Sequence, residues 1–141
     1  MASITPEEAI ERARRALNLS GAAAPEIWKV ARLDHPGSFY YLAAFRQGTG
    51  LAAVAIVDAA SGEIRQSTRP GGEGACLPIT AAAARQVAQL EDTASTDLVW
   101  QPCAASLSPF YPLWRIAGAG QTVFVDQQGR LWDQLKPAGP G

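Results

Sequence analysis

Two apolar runs, each closed by an aspartate and followed by a glycine, constrain the fold of this chain more than any other feature. The run AVAIVDAASGEI at 53–64 aligns with TVFVDQQGRL at 122–131. Upstream, two more pairs of segments align in the same order: EIWKV at 26–30 with LVWQP at 98–102, and FYYLAAF at 39–45 with FYPLWRI at 110–116. A repeat on this scale predicts two copies of one supersecondary unit.

The alignment also indicates the role of the two aspartates. Asp58 matches Asp126, and Gly62 matches Gly129. A catalytic carboxylate rarely occurs twice at equivalent positions, whereas a turn does. Aspartate bonds nearby backbone N–H groups, and glycine supplies the positive φ that such a bend requires. We therefore interpret both aspartates as turn residues.

Each repeat begins with a predicted helix. In the first, Thr5 is the N-cap, Pro6 takes the first helical position, and Glu8 completes a capping box. In the second, Thr80 caps AAAARQVAQL, whose alanines favour helix and allow close packing on a sheet.

The remaining apolar segments read as strands joined by turns. EIWKVARL and SFYYLAAF form a hairpin around DHPG, LAAVAIVD follows, and DLVWQPCAA, FYPLWRIAG and QTVFVDQQGRLWDQL supply the second set. We predict an α+β protein of two repeated helix–strand–strand–strand units, with one continuous antiparallel sheet or two, covered on one face by helices. The predicted segments are a first repeat at 1–66, a Gly/Pro-rich linker at 67–78, a second repeat at 79–135 and a disordered tail at 136–141.

Charge and hydropathy exclude several classes of partner. Twelve basic and thirteen acidic residues give a net charge of −1, which leaves no electrostatic footprint for nucleic acid. No apolar segment reaches the roughly 18 residues of a membrane span, and the N-terminus lacks an apolar signal core. The sequence predicts a cytoplasmic protein without a membrane span.

Few residues are suited to catalysis. His35 is the only histidine and falls at a hairpin tip, while Cys76 and Cys103 are far apart in the sequence. A Cys76–Cys103 disulfide and a cysteine–histidine pair both stay open on sequence grounds, with Cys103 expected in a strand. The cysteines and histidine are too few for a structural zinc site. We predict no catalytic residue, no metal and no cofactor.

Aromatic residues are the better candidates for a function. Trp28 and Trp100 match each other in the repeat and are expected in the core under each helix, whereas Trp114 and Trp132 have no counterparts in the first repeat. Unmatched tryptophans suit a contact surface, because Trp and Tyr are enriched at binding hot spots. The predicted contact residues are Phe110, Tyr111, Trp114 and Trp132, with Tyr40 and Arg46 as secondary members.

A helix that begins EEAIERA, a strand pair, and a strand that ends VDAASGEI together resemble the PepSY domain, the propeptide and YpeB-type module. The resemblance covers residues 5–66 and recurs over 79–135, where alanines replace the acidic helix residues and the turn is one residue shorter. It implies a non-catalytic α+β module associated with inhibition or chaperoning of peptidases. The pattern is also similar to that of small bacterial immunity proteins.

These observations favour a non-enzymatic binding or inhibitory module whose partner is a protein or an extended peptide. The open edges of its sheet also predict homodimerisation through a strand. The alternative is a small-molecule-binding protein or a cysteine-dependent enzyme with a pocket between helix and sheet.

Overall fold

The computed structural model describes residues 3–19, 21, 23–90, 93–118 and 120–136, and it has an α+β fold. Its elements, in chain order, are α1 (Pro6–Ala16), β1 (Ala24–Arg32), β2 (Phe39–Gln47), β3 (Gly50–Asp58), β4 (Ile64–Thr68), α2 (Ala81–Ala88), β5 (Thr93–Trp100), β6 (Leu113–Gly118), β7 (Gln121–Val125) and β8 (Leu131–Trp132). The chain forms two compact units. Unit 1 comprises 1–31 and 37–76, and unit 2 comprises 32–36 and 77–141. No helix in the described residues is long and apolar enough to cross a membrane.

In unit 1 the four strands form an antiparallel meander in the order β4-β3-β2-β1. α1 packs against β2, β3 and β4. Its buried alanines, Ala9 and Ala13, join a cluster that includes Tyr41, Phe45 and Val57. Small helical residues allow this close approach, and the Tyr41 hydroxyl donates a hydrogen bond to the carbonyl of Ile4 at 3.0 Å. The predicted hairpin between β1 and β2 is confirmed.

Both helices begin where the sequence predicts. Thr5 Oγ1 accepts a hydrogen bond from the backbone N–H of Glu8 at 3.1 Å, with Pro6 in the first turn. Thr80 Oγ1 accepts one from the N–H of Ala83 at 3.1 Å. α2 ends at Gln89, which adopts a left-handed conformation with φ 53°. Local capping chemistry therefore sets these boundaries.

The Gly/Pro-rich segment predicted as a linker at 67–78 makes extensive contacts with unit 1. Its first two residues belong to β4, and Leu51 exchanges backbone hydrogen bonds with Gly71 and Gly72, both at 2.9 Å. The side chain of Arg69 donates to the carbonyl of Leu17 at the end of α1. This segment therefore lies along β3 and α1.

The expectation that Trp28 packs under a helix is wrong. Trp28 pairs with Leu42 in the β1–β2 register, whereas Tyr41 and Ala43, one residue to either side, belong to the α1 cluster. Successive side chains of a strand point to opposite faces. Trp28 therefore lies on the sheet face that α1 does not cover.

In unit 2 the four strands form an antiparallel meander in the order β5-β6-β7-β8. α2 packs against β5, β6 and β7. The helix buries Ala84 and Ala88, and the strands bury apolar residues that include Leu113, Ile116 and Val125. β8 is a two-residue edge strand, in which Leu131 pairs with Val125 and Trp132 with Phe124.

The long connection between β5 and β6 differs from the prediction. β5 stops at Trp100, so Cys103 lies outside the strand and forms only an isolated bridge with Ser106. Phe110 and Tyr111 also precede β6, because Tyr111 N–H bonds the Ser108 carbonyl at 3.0 Å in a turn. The flanking prolines 109 and 112 lack the N–H groups that a ladder requires.

The predicted disordered tail at 136–141 is only partly described. The carbonyl of Lys136 accepts a hydrogen bond from the N–H of Ala104 at 2.9 Å, which attaches that residue to the β5–β6 connection. Residues 137–141 lie outside the described residues.

Candidate functional site

The two aspartates that align in the sequence build turns in both units, as the sequence predicts. In unit 1, Asp58 Oδ2 accepts hydrogen bonds from the N–H and the hydroxyl of Ser61, at 2.8 and 2.6 Å. Gly62 follows with φ 76°. The hydrogen bonds from Ser61 hold the pKa of the Asp58 carboxyl below its ordinary value. The Asp58 carboxylate therefore stabilises the turn.

In unit 2 the equivalent aspartate is more deeply embedded. Asp126 is only 5% exposed. Its Oδ1 accepts from the N–H groups of Gln128 and Arg130, and its Oδ2 accepts from the indole Nε1 of Trp132, all at 2.9 Å. Gly129 has φ 82°. Both carboxylate oxygens are therefore used to hold the turn and the aromatic ring that follows it.

Gln127 ties this turn to the rest of unit 2. Its buried side-chain amide accepts from the N–H of Ile79 and donates to the carbonyl of Pro112, both at 3.0 Å. The carbonyl of Ile79 in turn accepts from the indole Nε1 of Trp114 at 2.7 Å. These bonds fix the start of α2, the turn and the β5–β6 connection in one arrangement.

The β5–β6 connection is organised around Ser106, which is also buried. Its hydroxyl lies 2.6 Å from the carbonyl of Tyr111 and 3.0 Å from that of Ser108, and it accepts from Trp100 Nε1 at 3.3 Å. Its backbone exchanges two hydrogen bonds with Cys103, both at 3.1 Å. A buried hydroxyl bonded on several sides gives the connection a defined shape.

A groove of about 600 Å³ opens in unit 2 between this connection and the Asp126 turn. We call it the turn groove. Its lining residues are Pro78, Ala104, Ala105, Ser106, Leu107, Ser108, Tyr111, Asp126, Gln127, Gln128, Arg130 and Trp132.

Some of the lining side chains are available to a ligand and others are not. Asp126, Gln127 and Ser106 use their polar atoms within the protein. Leu107 and Tyr111 are 73% and 56% exposed, large values for apolar or aromatic side chains. The turn groove therefore combines a firmly bonded floor with an exposed apolar rim.

The structure brings only two of the six predicted contact residues into the turn groove, namely Tyr111 and half-buried Trp132. Phe110 neighbours Tyr111 but does not line the groove. Trp114 is buried, and its indole supports Ile79 instead of facing solvent.

The two secondary members lie in unit 1. Tyr40 is buried in β2. Arg46 bonds Glu26 Oε1 at 3.0 Å through Nε and also donates to the carbonyl of Gly74. Neither belongs to the turn groove.

Sequence reasoning missed Leu107, Gln127 and Arg130. One signal for Arg130 was present, because the repeat aligns this arginine with Glu63, which reverses the charge beside the turn glycine. Leu107 stands in a serine-rich loop, where an isolated leucine carries no periodic signal. Gln127 becomes important only through Ile79 and Pro112, which are distant in the sequence.

The cysteines are both free and buried, so the disulfide left open by the sequence does not form. Burial, with the nearby Glu26 carboxylate as a second cause, raises the pKa of the Cys76 thiol to about 12. Cys103 Sγ lies 3.7 Å from the carbonyl of Ser106. Within the described ranges, no group of His, Cys, Asp or Glu side chains could hold a metal ion.

Comparisons with known proteins add one distant likeness. No protein-family model and no curated protein matches the chain. Among solved structures, a candidate lipoprotein from Clostridium difficile 630 is similar, with 11% sequence identity and a TM-score of 0.43 over 96% of this chain and 94% of that one. That likeness is too distant to support an argument about function.

Proposed function

We propose that this protein is a non-enzymatic binding or inhibitory module whose turn groove receives a protein segment or an extended peptide. One observation carries the proposal: the groove has an exposed apolar rim, Leu107 and Tyr111, above a floor whose buried polar groups are already bonded. A floor of this kind can position a ligand. Its polar groups are already hydrogen-bonded within the protein, so they are not available to react with that ligand. A peptidase-regulating or immunity-like role follows if the two units are PepSY-like repeats with a helix on one face of each sheet.

Preorganisation supports this function. The side chains of Gln127 and Asp126 together make five hydrogen bonds. Two hold the turn itself, and the other three link it to Ile79 before α2, to Pro112 before β6 and to Trp132. A partner that enters a rigid groove loses less affinity to the ordering of the receptor. Exposed aromatic and aliphatic side chains around such a depression are typical anchors for a partner.

The strand edges are weaker candidates for the contact. The β3–β4 register shifts between Ile56 and Val57, which marks an irregularity beside Arg65 on the edge strand β4. β8 is only two residues long. Bulges, charges and short edge strands are devices that oppose pairing with another chain. We therefore place the contact in the turn groove rather than in a homodimer built through a sheet edge.

The surroundings of Cys76 also argue against thiol catalysis at this residue. A nucleophilic cysteine reacts as the thiolate, and its pKa is normally lowered by its surroundings. At Cys76, burial raises the pKa instead. The cytoplasmic setting stays a prediction from the sequence.

Site-specific photo-crosslinking tests the proposal. A photoreactive benzoylphenylalanine replaces Tyr111 in the turn groove, or Leu131 as the matched control, in cells that produce the protein. Leu131 is 49% exposed and stands in the same unit, outside the groove lining.

We expect one adduct of defined mass when the photoreactive residue is at position 111 and none when it is at position 131. The adduct should also be lost when Leu107→Asp adds a charge to the rim. Equal labelling from both positions, or an adduct that survives Leu107→Asp in a folded protein, would contradict a contact in the turn groove.

A further inference from the structure

The charged group that the turn groove offers to a ligand is a hydrogen-bond donor. Asp126 and Arg130 are its charged lining residues. Asp126 is nearly fully buried, and both its oxygens accept hydrogen bonds within the turn. Arg130 is exposed, and its guanidinium forms no ion pair with any residue that the structure describes. The charge available to a ligand is therefore a single positive one.

The hydroxyl of Tyr111 adds a second donor. This side chain extends into solvent, and within the described part of the chain its hydroxyl has no hydrogen-bond partner. An arginine carries five N–H donors and no acceptor, and a phenol also donates readily. The ligand atoms that match this pair of side chains are acceptor oxygens with negative charge.

Arg130 projects from a fixed backbone. Its N–H donates to Asp126 Oδ1 at 2.9 Å, and its carbonyl accepts from the N–H of Asp126 at 3.0 Å. The arginine therefore leaves the turn at a defined point, with only its side chain free to adjust. A charged group anchored in this way discriminates between ligands better than one on a mobile loop.

The charge stands beside apolar surface. Leu107 and Trp132 line the same groove, together with small residues such as Ala105. A single cation is too little for a nucleic acid, which needs several phosphate contacts, and the net charge of −1 offers no further attraction. A short peptide that carries one carboxylate and one apolar side chain matches both parts of the groove.

We propose that the turn groove selects an acidic–apolar peptide segment, in which an aspartate or glutamate pairs with Arg130 and a neighbouring apolar side chain packs against Leu107 and Trp132. This inference rests on the proposed function, since it names the chemistry of the partner at the same groove. The carboxylate supplies the specificity, because a bidentate guanidinium–carboxylate pair is both directional and charge-assisted.

The test is a display selection of random ten-residue peptides on the full chain, followed by titrations of the selected peptides by fluorescence anisotropy. We expect the binders to carry an acidic residue beside an apolar one. Replacing that acid by its amide should weaken binding about tenfold, as expected for loss of a charge-assisted hydrogen bond. Arg130→Gln should lower the affinity for the acidic peptide by the same factor and leave the affinity for the amide peptide unchanged.

Two further variants complete the design. Arg130→Glu should bind a lysine version of the peptide better than the acidic original. Arg85→Gln is the matched control, because Arg85 is an exposed arginine on α2 of the same unit that does not line the groove. It should leave all the affinities unchanged.

The outcomes separate this inference from the proposed function. In one outcome the selected peptides bind more weakly to Tyr111→Ala, need no acidic residue, and have the same affinity for Arg130→Gln as for the original protein. That result would overturn the acidic–apolar proposal and leave the groove function standing. Failure of the folded protein to select any peptide, or binders unaffected by Tyr111→Ala, would overturn both.

Discussion

The two turn aspartates allow one motif to be tested in two environments. Asp126→Ala removes an acceptor of three hydrogen bonds at a nearly buried position, whereas Asp58→Ala removes an acceptor of two hydrogen bonds near solvent. Loss of a hydrogen bond to a charged group costs about 1.5–3 kcal/mol, although such costs do not simply add. Both substitutions leave the turn glycine in place, so a difference between them reflects burial together with the additional bond to Trp132.

Working from these contacts, we expect Asp126→Ala to lower the free energy of unfolding by about 3 kcal/mol. The N–H groups of Gln128 and Arg130 and the indole N–H of Trp132 would all lose their acceptor, and because the three bonds are partly buried, water would replace that acceptor only in part. Asp58→Ala should cost about 1 kcal/mol, the scale of an exposed cap. Asp126→Asn keeps one acceptor oxygen and should fall between the two.

Urea denaturation followed by circular dichroism and tryptophan fluorescence measures these differences. The two probes should be compared, because two compact units need not unfold in one transition. An Asp58→Ala variant that loses as much stability as Asp126→Ala, or more, would refute the view that burial and the bond to Trp132 make Asp126 the more important turn residue.

Three other predictions follow from individual contacts. Trp114→Phe deletes the N–H that bonds the Ile79 carbonyl and should lower the free energy of unfolding by about 1–3 kcal/mol, as measured by urea denaturation. Cys76, buried and with its pKa raised to about 12, should react more slowly with a thiol reagent at pH 7 than free cysteine does, and at a normal rate after unfolding. Folding lowers the pKa of Asp58, so the contribution of this carboxylate to stability is complete above its ordinary pKa of 3.8 and is lost as the pH falls through the lower folded value. Asp58→Asn should reduce this acid-induced loss of stability, as measured by urea denaturation at a series of pH values.

The features predicted correctly from the sequence are those set by neighbouring residues. Thr5 and Thr80 cap their helices through N–H groups three residues away, and Asp58 and Asp126 bond groups within a few residues. Such chemistry is complete within one short segment, so its signature can be read there. The β1–β2 hairpin belongs to the same class.

The features missed depend on contacts across the fold. Trp114 and Trp132 look alike in the sequence, yet one supports the Ile79 carbonyl in the interior and the other lines the turn groove. Their difference arises from strand register and from partners distant in the chain. Trp28 was assigned to the wrong sheet face for the same reason, since a shift of one residue exchanges the faces of a strand.

The candidate site itself was only partly predictable. The sequence predicts Tyr111 as a contact residue, but its exposure follows from the turn closed by Ser108. For Arg130 the sequence shows a charge beside a turn glycine, a pattern typical of any exposed turn that does not indicate a groove. A loop and a turn create the site together, and no periodic pattern in either segment indicates that they meet.

The location of the binding surface is tested most directly by NMR. The full chain, labelled with ¹⁵N, is titrated with a peptide recovered by the display selection, and amide shifts are mapped on the structure. We predict the largest changes at 104–111 and 126–132, with the indole N–H of Trp132 among them and that of Trp28 unaffected. Changes confined to Ile64–Thr68 of β4, with the turn groove silent, would contradict the account and indicate strand addition at the sheet edge instead.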